Sequence, residues 1–238
     1  MYQLSSPESL FADLLAAQPS RPFVSFHDDA TGEWAELSTK SAANWVAKTH
    51  FLLVDSLGLG VGDCAYVGLP AHWVSVPILL GCWSAGLNVA DDPSGADVAF
   101  VVPERAAVDV ADVYAVNPQA VARGFAGGPP SGVEDYVLAV RPQPDAWGSV
   151  RFGAGPADPA IGGRSRSDVV ADGAARARAI GLSAGGRLLS AQPWRGRASW
   201  IDAVVAPLCV GASIVLVASD DPDRIARHAE QERATAVL

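Results

Sequence analysis

Residues 64–90 read CAYVGLPAHWVSVPILLGCWSAGLNVA, a stretch without a single Asp, Glu, Lys or Arg. A membrane span needs about 20 unbroken apolar residues. Gly68, Pro70, Pro77, Gly81 and Gly86 interrupt this one. The stretch divides instead into a strand over 63–69, a helix over 72–85 and a short strand over 87–90, all buried. A strand, a helix and a second strand at this spacing form a right-handed βαβ unit with its strands parallel.

The same grammar returns later in the chain. Gly62-Asp63, strand, Pro70, helix, Cys82, Gly86, strand and Asp91-Asp92-Pro93 are echoed by Gly186-Arg187, strand, Pro193, helix, Cys209, Gly211, strand and Asp220-Asp221-Pro222. Upstream of the first unit, 8–18 is a helix with Leu10, Phe11, Leu14 and Leu15 on one face. Phe23–His27 and Trp34–Glu36 form a hairpin with Gly32 in its turn, and Ser38 caps a long helix that Gly58 and Gly60 stop. Downstream come strands at 96–102 and 112–116, then a Pro/Gly-rich connecting segment over 117–148 with one amphipathic turn near 133–140. Beyond it are a strand at 149–152, a Gly/Pro-rich loop over 153–163, and further helices at 167–180, 198–210 and 222–232. Strands at 186–191, 213–218 and 234–238 alternate with them. The pattern predicts an α/β protein of two related units, 1–148 and 149–238.

Composition narrows the function classes. The 238 residues are 50% hydrophobic and only 18% charged, so a large core is available and disorder is excluded. The net charge is −9, with 17 basic against 26 acidic side chains, which argues against nucleic acid or an anionic membrane as partner. Positions 1–119 hold 4 basic and 14 acidic residues. Seven arginines, Arg164, Arg166, Arg176, Arg178, Arg187, Arg195 and Arg197, crowd into the second half. Two uses stay open for them: an anion site, or a solvated helix face with loop arginines. Cys64, Cys82 and Cys209 are odd in number and far apart, which reads as buried free thiols in a reducing, cytoplasmic setting. The opening MYQLSSPESL has neither a basic nor an apolar leader region. His27, His50, His72 and His228 lack metal-ligand spacing.

Two motifs invite chemistry and decline it. Gly181-Leu182-Ser183-Ala184-Gly185 matches GxSxG, but a nucleophile elbow needs a strand before the serine and a helix after it. Here the order is reversed, and the glycines read as a helix C-cap. Gly58, Gly60 and Gly62 approach a dinucleotide loop, yet Asp63 stands at the third glycine position and the loop precedes its strand.

A family resemblance then joins the pieces. Glu33–Ser38 with Ala43-Asn44-Trp45-Val46-Ala47, and Leu57–Asp63 followed by Val67–Pro70, resemble successive motifs of the adenylate-forming (AMP-binding, acyl-CoA synthetase-like) enzymes. So do Gly81, Ala85, Gly86 and Asp91–Pro93, then Gly181-Leu182, Gly185–Ser190, Pro207-Leu208, Gly211-Ala212 and Ile214–Val217. The resemblance implies an α/β fold of two related subdomains with largely parallel sheets flanked by helices, as in the N-terminal part of acyl-CoA synthetases. It also implies a cleft between the subdomains, and a Ser/Thr/Gly-rich phosphate loop ending in Pro-Lys-Gly near 152–163.

That loop reads FGAGPADPAIGG here. Gly153, Gly155, Gly162 and Gly163 remain, with Arg164 and Arg166 as the nearest cations, but the hydroxyls and the lysine are gone and Asp158 adds a like charge. Losing one charge-assisted contact costs about 1.5–3 kcal/mol. The resemblance further implies that the adenine strand, the ribose-binding acid and the catalytic lysine lie beyond the stretch Leu238 closes. The expectation is a degenerate, non-catalytic relative, without cofactor, that binds a partner protein or a small ligand in the inter-subdomain cleft. Two alternatives stand beside it: half of a split ligase using ATP or AMP with a partner chain, and a self-associating module forming a homodimer. Trp73, Trp83, Trp194 and Trp200 line the cleft or that associating face, unless they pack in the core.

Overall fold

The computed structural model describes residues 6–118 and 123–238. Part of the connecting segment, 119–122, and the first five residues of the opening stretch lie outside them. Helix α1 (Pro7–Ala17) starts on a capping box in which the Ser6 hydroxyl accepts from the Ser9 amide, with Pro7 at the first helical position. Strands β1 (Pro22–Asp28) and β2 (Glu33–Ser38) form the expected antiparallel hairpin. Ser38 caps α2 (Thr39–Phe51) through the Ser41 amide, and a π-helical turn at Leu52–Ser56 closes that helix. The βαβ unit read from residues 64–90 is β3 (Cys64–Gly68), α3 (Ser75–Ser84) and β4 (Asn88–Ala90).

After β5 (Val98–Val101) and β6 (Asp112–Ala115), the connecting segment holds a short β7 (Glu134–Asp135) and α4 (Tyr136–Val140), capped by Asp135. Strand β8 (Pro159–Ile161) turns into β9 (Arg164–Ser165) and α5 (Arg166–Ala179), whose cap is Ser165. The second βαβ unit consists of β10 (Arg187–Ser190), α6 (Arg197–Trp200) with α7 (Ala206–Cys209), and β11 (Ser213–Val217). Helix α8 (Pro222–Gln231) and β12 (Ala236–Val237) follow.

Two expectations are overturned locally. No strand forms at 149–152; a 3₁₀ turn occupies Trp147–Ser149, and Phe152 lies 39% exposed with its ring edge-on to Trp147. The strand arises instead inside the predicted loop, where fully buried Ile161 pairs beside Val89 and extends the sheet. The predicted 198–210 helix is interrupted by a π turn at Ile201–Val205. The Ala206 amide reaches back to Ile201 O just ahead of Pro207, which has no N–H to continue the α pattern.

Two sheets result. One is five-stranded in the order β12-β10-β11-β1-β2, and the other seven-stranded in the order β7-β6-β5-β3-β4-β8-β9. All pairings are parallel except the β1–β2 and β8–β9 hairpins. Each echoed unit has its two strands side by side, β3 with β4 and β10 with β11. The strands do not sort at 148/149. β1 and β2 pair into the sheet built mainly from residues after 186, and β8 and β9 into the sheet built mainly from residues before 136. The reason is burial: Val24 and Phe26 of β1 need the cover that Ile214 and Leu216 of β11 share.

One core joins both sheets. Phe26 and Leu216 meet Val67 and Phe100 through a layer of helices that contributes Phe11, Leu53, Leu79, Trp83 and Trp200. Outside the five-stranded sheet, Ile225 and Ala229 of α8 cover Leu189, Val215 and Val217. Among the described residues, no helix is long and apolar enough to cross a membrane.

Candidate functional site

In open parallel sheets, ligands collect beyond the carboxyl ends of the strands. That pole here carries a cavity of about 250 Å³, lined by Tyr66–Leu69 at the end of β3, Asp91 after β4, Arg105, and Trp194–Gly196 after β10. Its walls therefore come from both sheets. Arg105 and Arg195 are exposed, and neither makes an ion pair among the described residues. Arg105 Nη1 lies 3.5 Å from Gly68 O. Trp194 is 7% exposed, and its indole N–H is buried without an acceptor.

The rim is tightly interlocked. Gly196 has φ +89°, and a β-carbon there would fall 2.2 Å from the Asp91 carboxylate, which lies 3.4 Å from the Arg197 amide it accepts from. A β-carbon on Gly162 would fall 2.6 Å from the Arg197 guanidinium. The β8–β9 turn, the end of β4 and the loop after β10 thus meet at one edge of the cleft.

The six residues singled out in the sequence do not converge on an anion. The Gly155 amide donates to Asp158 Oδ2 at 2.7 Å, so the loop closes on its own carboxylate. Gly162 donates to Val89 O at 2.8 Å and Gly163 to Asn88 Oδ1 at 3.1 Å. Gly153 sits far along the chain from that turn, against Val61. Arg164 pairs with Asp172 one helical stretch onward, at 2.9 Å. Arg166 is the clearest correction. It is fully buried, bonded to Glu8 at 2.8 Å, to Trp83 O at 3.0 Å and to Pro159 O, so its guanidinium is a core fixture tying α1, α3 and β8 together. Arg176 pairs with Asp202 and Arg187 with Glu232; of the seven, Arg195 lines the cleft and Arg197 stands at its rim.

Of the four tryptophans, Trp73, Trp83 and Trp200 are core and Trp194 lines the cavity. Sequence reasoning missed Arg105, although its position among the few basic residues of an acidic first half was a usable signal. His72 lies three residues beyond Leu69 and is buried. Its Nδ1 accepts from the Val74 amide and its Nε2 lies 3.3 Å from Glu33. Burial pulls the His72 pKa down to about 4, and burial, helped by Asp28, raises that of Glu33. Gly181 and Gly185 have φ of +69° and +66°, the left-handed values of a helix-terminating turn, and Ser183 between them is not a strand-to-helix elbow. Among the described residues no group of His, Cys, Asp and Glu is arranged to hold a metal.

No protein-family profile matches the chain. Among solved structures, it is similar to the apo form of Mycobacterium smegmatis MbtA, with a TM-score of 0.74 and 18% identity over 99% of this chain and 48% of that one. A Brucella canis acyl-CoA synthetase superposes with a TM-score of 0.74 at 19% identity, over 98% and 47% of the two chains. The anthranilate CoA ligase AuaEII, solved in complex with anthranoyl-AMP, gives 0.68 at 14% identity, over 94% and 47%. The fold is therefore that of adenylate-forming, acyl-CoA synthetase-like ligases, and the chain spans about half the length of those structures. A curated Mycobacterium tuberculosis (strain H37Rv) protein described as "TIGR03089 family protein" is 39% identical over 236 residues, 94% of each chain. With a relative that similar along nearly its whole length, this chain belongs to the TIGR03089 family.

Proposed function

We propose that this chain binds a ligand rather than adenylating one, using the cleft between its two sheets as the binding site. The observation that carries this reading is the state of the former phosphate loop. Its Gly155, Gly162 and Gly163 amides already have acceptors, one of them the Asp158 carboxylate, and both nearby arginines are paired with acids. A triphosphate would have to break those bonds and bring its charge beside Asp158, with no lysine or hydroxyl in compensation. The cleft offers the reverse: two exposed arginines with no ion pair among the described residues, in a concave, two-walled setting. Three unbridged thiols fit the reducing, cytoplasmic setting this reading assumes. The test is ATP–pyrophosphate exchange by the purified chain across aliphatic and aromatic carboxylic acids. A blank result is expected, and robust exchange overturns the reading.

A second reading, half of a split ligase completed by a partner chain, draws on the near-half coverage of the solved ligases. It requires ATP to stabilise the chain once the partner is bound, so a thermal shift at millimolar ATP separates the two.

A further inference from the structure

We infer that the pole opposite the cleft holds a second binding site, for a small uncharged molecule with an apolar body and one hydroxyl, whose O–H donates to His50 Nε2. A cavity of about 340 Å³ lies there, within the roughly 300–1,000 Å³ range of small-molecule pockets. Phe51 at the end of α2, Val54 in the π turn, Val61 on the way into β3 and Ala85 after α3 form its apolar walls. Val61 and Ala85 precede β3 and β4, which run parallel, so the cavity opens at the amino ends of those strands and the cleft beyond their carboxyl ends. The segment expected as a strand at 149–152 supplies the remaining wall. Val150 packs on Ala47 and Phe51, which sets Ser149, Arg151 and Gly153 along the cavity.

His50 marks this cavity out from the others. The residue is only 4% exposed. Ser84 Oγ gives its single proton to Gly81 O at 2.8 Å and lies 3.3 Å from His50 Nδ1, so Nδ1 carries the ring proton and donates to Ser84. Nε2 is then the lone-pair nitrogen. It has no hydrogen-bond partner among the described residues, yet unlike the indole nitrogens of Trp73, Trp194 and Trp200 it is not sealed from solvent. Because His50 lines the cavity, this acceptor opens into it. Burial holds the His50 pKa below its ordinary value, so the ring is neutral at pH 7 and accepts a bond instead of pairing with an anion. The walls fix the rest of the ligand. Val61 is 48% exposed, an apolar surface left uncovered beside the acceptor. Asp55 and Arg151, both exposed, line the cavity with opposite signs, so it favours neither an anion nor a cation.

The probes are phenol, toluene and benzoate, each titrated at pH 7.5 into the ¹⁵N-labelled full chain while the His50 ring nitrogens, assigned with His50→Gln, are followed. Phenol should shift Nε2 saturably. Toluene, the same ring without a donor, should bind at least about fivefold more weakly, as expected for one lost hydrogen bond. Benzoate, whose carboxylate offers a lone pair to a lone pair, should give no saturable shift. Val61→Asp, at an exposed position, puts a charge into the apolar wall and should weaken phenol at least about tenfold. The absence of a saturable Nε2 shift with phenol overturns the inference in the native protein, whatever the variants do. Equal affinity for toluene or benzoate, or full phenol affinity in Val61→Asp, overturns it as well. The cavity stands apart from the cleft, so exchange activity with ATP bears on the reading above and not on this one.

Discussion

The 152–166 segment and the cleft rim touch where Gly162 abuts Arg197, yet they are opposites in their hydrogen bonding. In the segment, Gly155, Gly162, Gly163, Arg164 and Arg166 all have internal partners. At the cleft, Arg105 and Arg195 make no ion pair among the described residues, and the Trp194 N–H has no acceptor there. Glycines and arginines in a loop are necessary for holding an anion but decide nothing until their donors are accounted for. A donor already satisfied inside the fold must lose its bond before it can take a ligand.

The sharpest way to break this contrast is through Arg166. If it is a core fixture, Glu8→Ala leaves a buried guanidinium uncompensated and destabilises the protein by about 3–5 kcal/mol in equilibrium denaturation. A loss under about 1 kcal/mol would return Arg166 to the ligand-facing group.

Acidification probes the His72–Glu33 pair. The folded His72 pKa of about 4 lies below the free value of 6.5, so the unfolded chain takes up a proton that the native state refuses. Stability is complete above pH 6.5 and falls as the pH drops toward 4, by about 3 kcal/mol from this group. Glu33, raised by burial, acts in the opposite sense and offsets part of the loss. Below that window Asp29, held low by its bond from His228, adds a further loss as it protonates. So does Glu232, where bonds from Arg187 and His27 outweigh a burial that pushes the other way. Denaturant midpoints from pH 7.5 to 4.5 should decline in the native protein and flatten in His72→Gln.

The smallest effect belongs to the loop itself. Asp158→Ala frees the Gly155 amide and should cost about 1 kcal/mol. Millimolar ATP should still give no thermal shift, because the Gly162 and Gly163 amides remain occupied by Val89 and Asn88. A clear ATP shift in this variant would mean that one carboxylate alone separates the segment from a working phosphate loop.

The sequence by itself determined what is local. The capped starts of α1 and α2 at Ser6 and Ser38, the β1–β2 hairpin, the two echoed βαβ units and the glycine-ended helix at Gly181 all follow from signals spanning fewer than thirty residues. Caps, periodicity and turn glycines act through neighbouring backbone, so a linear reading reaches them. What tertiary structure decided is which strands share a sheet and which charges are buried. β1 lies beside β11 across nearly two hundred residues, and Ile161 outcompetes Phe152 for strand pairing because Val89 offers it a buried edge. Arg166 meets Glu8 from 158 positions away. Burial and ion pairing depend on distance in space, and no local pattern encodes the partner that a side chain finds only after the chain has closed on itself.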